Sequence, residues 1–136
     1  MTNPAFFGRV LFLLARTIGF LPLPLLRRLG TLAGRLSYRL DSRETRVARR
    51  NMQLIYTDDS PQQRELKVQG ILESSGQTLF ETLAVWTRPR EKALKLLTGV
   101  QGRRHLDAAL AKGKDMIVAG PHYGNWALLL KYLAPN

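Results

Sequence analysis

Apolar residues recur at helical spacing along the first half of the chain. Between residues 25 and 56 a leucine-rich set falls within a sector of about 80° when the chain is wound at about 100° per residue. The members of this set are Leu25, Leu29, Leu32, Leu36, Leu40 and Val47. A second set lies beside it and consists of Arg28, Arg35, Arg39, Arg43, Arg46 and Arg50. The pattern predicts one amphipathic helix, or two helices if residues 41–42 break it and Ser42 caps the second.

Two further helices are predicted between residues 61 and 97. Ser60 followed by Pro61 favours a helix start, because proline suits the first helical position. Apolar residues then recur at steps of three and four as far as Trp86. Residues 87–90 read Thr-Arg-Pro-Arg and end this helix, since proline interrupts helical hydrogen bonding. A shorter helix is expected over residues 91–97.

The last third of the chain has a different pattern. Residues 103–112 predict a helix, which Gly113 ends. Residues 115–119 read Asp-Met-Ile-Val-Ala and predict a short buried strand, closed by Gly120 and Pro121. Another helix is expected to begin near residues 124–125. This helix–strand–helix order indicates an α/β fold that follows a set of amino-terminal helices.

The most apolar segment is residues 5–26. It is long enough to cross a bilayer, but Arg9 and Arg16 interrupt it and two prolines lie near its end. An arginine at the bilayer centre costs about 2.5–3.5 kcal/mol on insertion scales. The segment therefore favours a helix lying in the membrane interface or a shallow re-entrant anchor, with a buried core helix as the alternative. We accordingly expect a membrane anchor over residues 1–26 and a domain over residues 27–136.

The net charge of the chain indicates an anionic partner, and its cysteine and histidine content argues against disulfides and metal sites. The chain has 136 residues, no cysteine and two histidines, which excludes disulfides and argues against a resident metal. The net charge is +11, and residues 1–50 contain ten arginines against two acidic residues. Nucleic acid, a phospholipid surface or an acidic protein would each attract such a charge. Nucleic acid is disfavoured, because the arginines are not interleaved with aromatics and lie beside a very apolar segment.

The candidate chemistry lies in the loop after the predicted strand. His122 follows the carboxyl end of that strand, which is where open α/β sheets place ligand sites. An imidazole with an ordinary pKa near 6.5 can act as a general base. Gly120 and Gly124 flank it and allow the backbone to approach a substrate closely. Taken alone, one histidine in a loop favours a structural role over a catalytic one.

The residues around His122 resemble a known family. Residues 120–129 read Gly-Pro-His-Tyr-Gly-Asn-Trp-Ala-Leu-Leu. This is similar to the first catalytic block of the late acyltransferases of lipid A biosynthesis, which typically reads His-x-Gly-Asn-Trp-Glu. That block is a form of the His-x4-Asp/Glu motif of glycerolipid acyltransferases. The resemblance extends upstream to Arg-Arg-Asn51-Met-Gln-Leu, Glu81-Thr-Leu-Ala-Val-Trp86 and Leu106-Asp-Ala-Ala-Leu-Ala-Lys-Gly-Lys114.

The resemblance implies a reaction and its participants. It implies transfer of a fatty acyl chain from a thioester of acyl carrier protein or coenzyme A, with no cofactor. The acceptor would be a hydroxyl of a lipid A precursor or a related membrane lipid such as a lysolipid, at the cytoplasmic face of the inner membrane. His122 would be the base. The residue types themselves make Gly124, Asn125, Arg103 and Arg104 candidate substrate contacts, with a helix-start cap as an equal alternative for Asn125 and a solvated face for the two arginines. Arg28, Arg35, Arg39, Arg43 and Arg46 are candidates for binding membrane lipids.

This sequence departs from the family pattern at position 127. Ala127 stands where the motif has the acidic residue that orients the histidine. Three explanations remain open: an engineered substitution, a naturally degenerate member, or a carboxylate supplied from elsewhere. The chain also stops inside the first α/β unit, so it is expected to be the amino-terminal part of such an enzyme and catalytically impaired. The alternative function is a non-catalytic module that binds anionic membranes.

Overall fold

The computed structural model describes residues 4–113, 116–121 and 124–134 and contains seven helices in these ranges. They are α1 Pro4–Gly19, α2 Leu23–Arg39, α3 Arg43–Ile55, α4 Pro61–Thr87, α5 Arg90–Leu94, α6 Arg103–Leu110 and α7 Trp126–Leu133. Helix α4 is the longest and is the centre of the fold, because α1, α2, α3, α5 and α7 all contact it.

Side-chain caps set the starts of the two helices that the sequence predicted to begin at serines. The Ser42 hydroxyl accepts a hydrogen bond from the backbone N–H of Thr45 at 3.3 Å, so α2 and α3 are separate helices. Ser60 and Gln63 form a reciprocal capping box at the start of α4. The predicted break at residues 41–42 and the predicted start at Ser60–Pro61 are both confirmed.

Helices α2 and α4 pack at unusually close range through glycines. A Cβ atom placed on Gly30 would lie 2.5 Å from the Cα of Gln77, and one on Gly34 would lie 2.7 Å from the Cα of Glu73. Gly76 of α4 faces the backbone of Gly30 in the same way. The absence of side chains at these positions is therefore what allows the two backbones to touch.

The α2–α4 pair has a charged side and an apolar side. On the charged side, Arg27 pairs with Glu81 at 2.6 Å and Arg35 pairs with Glu73 at 2.8 Å. On the other side the predicted leucine stripe is largely exposed. Its exposed members are Leu25, Leu32, Leu36, Leu40 and Val47. One cluster of buried apolar side chains instead consists of Ala48, Met52, Val68 and Leu72, with Tyr38 packed against it.

The amino-terminal segment forms a bent pair of helices. None of the helices in the described ranges is by itself both long and apolar enough to span a membrane. Residues Gly8–Gly19 and Leu23–Arg39 satisfy length and composition together, but they are bent by 119° at the break between them. Length and composition thus allow a broken or re-entrant segment.

The predicted strand at residues 115–119 does not appear in the described part of the chain. Asp115 lies outside the described residues, and residues 116–121 have no regular secondary structure. Ile117 is 98% exposed, so the expected burial is absent as well. A strand needs a neighbour to bond its backbone, and the described residues offer none beside this segment. The structure therefore shows the predicted helices, of which α5 and α6 end earlier than expected, at Leu94 and Leu110, but not the sheet unit in the described residues.

Candidate active site

The amino terminus of α7 carries most of the described part of the candidate site. The Asn125 side chain accepts a hydrogen bond from the backbone N–H of Leu128 at 3.3 Å and caps the helix. Gly124 precedes it with φ of +61°, a conformation that side-chain-bearing residues rarely adopt. The glycine and the asparagine therefore fix the sharp entry into the helix. His122 and Tyr123 lie outside the described residues.

Ala127 lies in the first turn of α7 and is only 2% exposed. Its methyl group offers no hydrogen-bonding or charged atom, so this position cannot orient an imidazole. The position at which the chain departs from the acidic motif therefore lies on the buried face of α7. The helix start itself offers a partial positive charge, which favours a bound anion or a developing oxyanion.

Two neighbouring cavities share Val118 and Leu133 in their walls. The smaller, of about 230 Å³, is lined by Val118, Gly120, Pro121, Trp126, Leu129, Leu130 and Leu133. The larger, of about 530 Å³, is lined by four leucines, by Val118 and Met116, and by Arg90, Arg103 and Tyr132. Apolar walls with a few cationic groups suit an amphiphilic ligand with an anionic end.

Arg103 and Arg104, both predicted to bind substrate, have different surroundings. Arg103 donates to Asp107 at 2.9 Å and to the Tyr132 hydroxyl at 2.6 Å, and it stacks 5.5 Å from the Tyr132 ring centre. The hydrogen bond to Asp107, followed by the one to Tyr132, raises the pKa of Arg103. Arg103 thus ties α6 to α7, whereas Arg104 is exposed and donates to the adjacent His105 ring at 3.5 Å.

Comparison with known proteins decides the family. The sequence profile of the bacterial lipid A biosynthesis acyltransferases matches residues 5–136. The chain belongs to this family. No solved structure was found to match it significantly.

Individual relatives of this acyltransferase-family chain agree with the match. It is 31% identical over 103 residues to the lipid A biosynthesis lauroyltransferase of Escherichia coli strain K12, which covers 76% of the chain and 33% of the relative. Over the same lengths and shares it is 30% identical to the palmitoleoyltransferase of that organism. The lipid A biosynthesis acyltransferase of Haemophilus influenzae is 32% identical over 110 residues, 79% of the chain and 34% of the relative. The chain spans about a third of the length of these relatives.

The arginines predicted to bind membranes in this family member fall into two groups. Arg35 pairs with Glu73, and Arg46 bonds the backbone oxygen and the carboxylate of Asp41. Arg28, Arg39 and Arg43 are exposed and have no ion-pair or hydrogen-bond partner within the described part of the chain. The guanidinium groups of the second group are therefore accessible to an external anion.

Sequence reasoning missed three cations that close helix ends in this acyltransferase-family chain: Arg88, Arg90 and Lys131. Lys131 donates to the backbone oxygens of Val85 and Arg88. A basic residue in the last turn of a helix is a weak sequence signal for such contacts. In this case the carbonyl groups belong to other helices, which sequence spacing does not reveal.

Proposed function

We propose that the chain is the amino-terminal part of an enzyme that acylates a lipid A precursor or a related membrane lipid. The donor is a fatty acyl thioester of acyl carrier protein or coenzyme A. The proposal places the reaction at the cytoplasmic face of the inner membrane. The observation that carries it is the Gly120–Ala127 block, in which Gly124 and Asn125 start a capped helix directly after the histidine.

The proposed chemistry is acyl transfer with His122 as general base. The imidazole takes the proton of the acceptor hydroxyl while that oxygen attacks the thioester carbonyl. The tetrahedral intermediate collapses, the carbon–sulfur bond breaks, and the thiolate leaves with the proton as a thiol. The positive end of α7 suits the negative charge of the intermediate. The apolar cavities beside Trp126 and Leu133 suit the hydrocarbon part of a substrate.

Ala127 makes the proposed enzyme inefficient in this form. An imidazole without a carboxylate partner lacks control of its tautomer and orientation, and losses of about 10⁴ in rate follow in a serine-protease analogue. Because residue 127 is buried, water has little access to it and is a poor substitute for the missing carboxylate. We therefore expect weak transfer by the chain with Ala127 and stronger transfer with an acid there.

The test compares variants of the chain alone and of the chain completed with the remaining region of the E. coli lauroyltransferase. A radiolabelled acyl-carrier-protein thioester and a lipid A precursor are the substrates. Ala127→Glu should raise transfer and Ala127→Gln, which has the same size without the charge, should not. His122→Ala should abolish the gain, whereas His105→Ala, the same change on an exposed residue of α6, should preserve it. Equal transfer with alanine at position 122 would exclude His122 as the base.

A second candidate function is binding to anionic membranes without catalysis. The specific observation in its favour is the exposed stripe of Leu32, Leu36 and Leu40 together with the unpaired Arg28, Arg39 and Arg43. An apolar stripe flanked by free cations suits the boundary between headgroups and acyl chains. Each arginine near an anionic bilayer contributes about 1 kcal/mol of attraction.

Co-sedimentation with vesicles tests this second function, with a matched set of charges as control. Replacing the unpaired Arg28, Arg39 and Arg43 by glutamine should weaken binding to phosphatidylglycerol vesicles much more than to phosphatidylcholine vesicles. Replacing Arg27, Arg35 and Arg46 removes the same charge from residues that already have carboxylate partners. Equal losses from the two sets would contradict a role for the unpaired arginines. Stronger binding to duplex DNA than to vesicles would instead support nucleic-acid binding.

A further inference from the structure

Lys131 closes the carboxyl end of α4 from the neighbouring helix α7. Its ammonium group donates to the backbone oxygen of Val85 and, at 2.6 Å, to that of Arg88. The last carbonyl groups of a helix have no partner within it and attract a positive charge. The Lys131 side chain is partly withdrawn from water to make these contacts, and this burial lowers its pKa. The contact thus holds α7 by a directed, charged bond to α4.

Arg90 in turn binds the free carbonyl groups at the carboxyl end of α7. Its guanidinium donates to the backbone oxygens of Lys131 at 3.0 Å, Tyr132 at 3.1 Å and Ala134 at 2.8 Å. These oxygens lie at the carboxyl end of α7, and Arg90 is the first residue of α5. The carboxyl ends of α4 and α7 are therefore each bound by a cation from another element. Lys131 takes part in both contacts, with its side chain as the donor to α4 and its backbone oxygen as an acceptor from Arg90.

Arg88 adds the first helix to the same cluster. Its guanidinium donates to the backbone oxygen of Gly19 at 2.8 Å and to that of Leu21 at 2.7 Å, at the carboxyl end of α1. Pro89 separates Arg88 from Arg90, with a backbone φ of −52° that its ring fixes. The turn over residues 88–90 thus binds the carboxyl ends of α1 and α7 through its two arginines. The backbone oxygen of Arg88, its first residue, accepts the hydrogen bond from Lys131.

The face of α7 that makes these bonds is the face that carries residue 127. Ala127 and Lys131 are four residues apart, so they lie one above the other on one side of the helix. The bonds of Lys131 fix the rotation of α7 about its axis, and those of Arg90 fix its position along that axis. A turn of α7 by one residue would move position 127 by about 100°.

We propose that Lys131 and Arg90 are positioning residues for the acyl-transfer reaction, holding α7 so that residue 127 keeps one orientation. The inference rests on the proposed function for its catalytic consequence, and on the contacts above for the fixing of α7. Displacing a catalytic group by about 1 Å can cost about a hundredfold in rate. Loss of either cation should therefore lower kcat more than it raises KM.

The kinetic test uses the completed chain with Ala127→Glu as the parent. Lys131→Met and Arg90→Met should lower kcat by about tenfold or more and leave KM within about twofold. Lys131→Arg and Arg90→Lys keep the charge and should recover part of the loss. Lys92→Met removes an exposed cation of α5 and is the matched control. A fall in kcat no larger than that of the control would overturn the proposal.

Hydrogen exchange on the 136-residue chain tests the fixing of α7 without any activity. Lys131→Met should speed the exchange of amides in residues 126–134 by about tenfold while amides of α3 keep their rates. An equal increase in all helices would indicate a general loss of stability and would contradict a positioning role. An inactive parent would refute the proposed function alone, because the exchange result still decides whether these cations hold α7.

Discussion

Arg49 donates a hydrogen bond from Nε to Oε1 of Glu65 over 2.8 Å and so joins α3 to α4. Tyr38 of α2 donates to the other carboxylate oxygen at 2.8 Å. Three helices therefore meet at one carboxylate. The hydrogen bond from Arg49 is the main cause that lowers the pKa of Glu65, Tyr38 lowers it further, and partial burial opposes both.

The lowered pKa predicts a loss of stability in acid. A carboxylate whose folded pKa is below its unfolded value of 4.5 stabilises the fold fully above that value. This contribution disappears as pH falls through the folded pKa. Urea unfolding of the original chain and of Glu65→Gln, from neutral pH to about pH 3, should give free energies of unfolding that converge in acid. Glu91→Gln, at an exposed position of α5, is the matched control, and a constant difference for Glu65→Gln would contradict the prediction.

The glycine contact between α2 and α4 predicts opposite effects of the same substitution at two glycines. Gly34→Ala places a methyl group against the backbone of Leu72 and Glu73, and it should destabilise the fold by about 1–3 kcal/mol. Gly70→Ala lies in open space on α4, and it should stabilise the helix by up to about 1 kcal/mol. Denaturant unfolding followed by circular dichroism measures both. Similar destabilisation at the two positions would refute close helix packing as the cause.

The burial of α2 shows where sequence periodicity misleads. The leucine stripe correctly predicted a helix with an apolar side, because local spacing alone decides that pattern. The face that packs on α4 is carried by Leu26, Gly30 and Gly34, and two of these have no apolar side chain. The packing role of the two glycines depends on Gly76 and its neighbours in α4, which is distant in sequence. Single-sequence patterns do not show such a complementary pair.

The capping box at Ser60 predicts a measurable contribution to the start of α4. Ser60→Ala removes the acceptor for the Gln63 N–H, and it should cost about 1 kcal/mol of stability. Ser74→Ala is the matched control in the exposed middle of the same helix, where alanine is the better helix former. Denaturant unfolding should rank the two variants in opposite directions. A cost at Ser74 as large as that at Ser60 would argue against the cap.

The candidate site was predictable only in its local features. The sequence left a helix-start cap and a substrate contact as equal alternatives for Asn125, and the structure shows that it caps α7. The strand predicted over residues 115–119 would need hydrogen bonds from a neighbouring strand. The sequence of one segment carries no information on that neighbour. The cations Arg90 and Lys131 act on backbone oxygens of other helices, which any residue type supplies. Tertiary structure alone reveals such contacts.

The buried position of residue 127 predicts how an acid there would behave. In Ala127→Glu a carboxylate replaces a methyl group that is 2% exposed, and without a partner this buried charge should cost about 3–5 kcal/mol of stability. A protonated His122 beside it would recover part of this cost. The double-mutant cycle of Ala127→Glu with His122→Ala should therefore give a favourable coupling of about 0.5–3 kcal/mol near pH 6, where imidazole is partly charged.

The same cycle separates a catalytic pair from two unrelated residues. Coupling should weaken above about pH 8, because neutral imidazole loses its charge and keeps only a hydrogen bond. The cycle with His105→Ala should give a coupling near zero, since His105 is exposed on α6. Equal couplings for the two histidines would show that the acid at position 127 responds to general charge. In that case the carboxylate partner of His122 would have to come from another part of the protein.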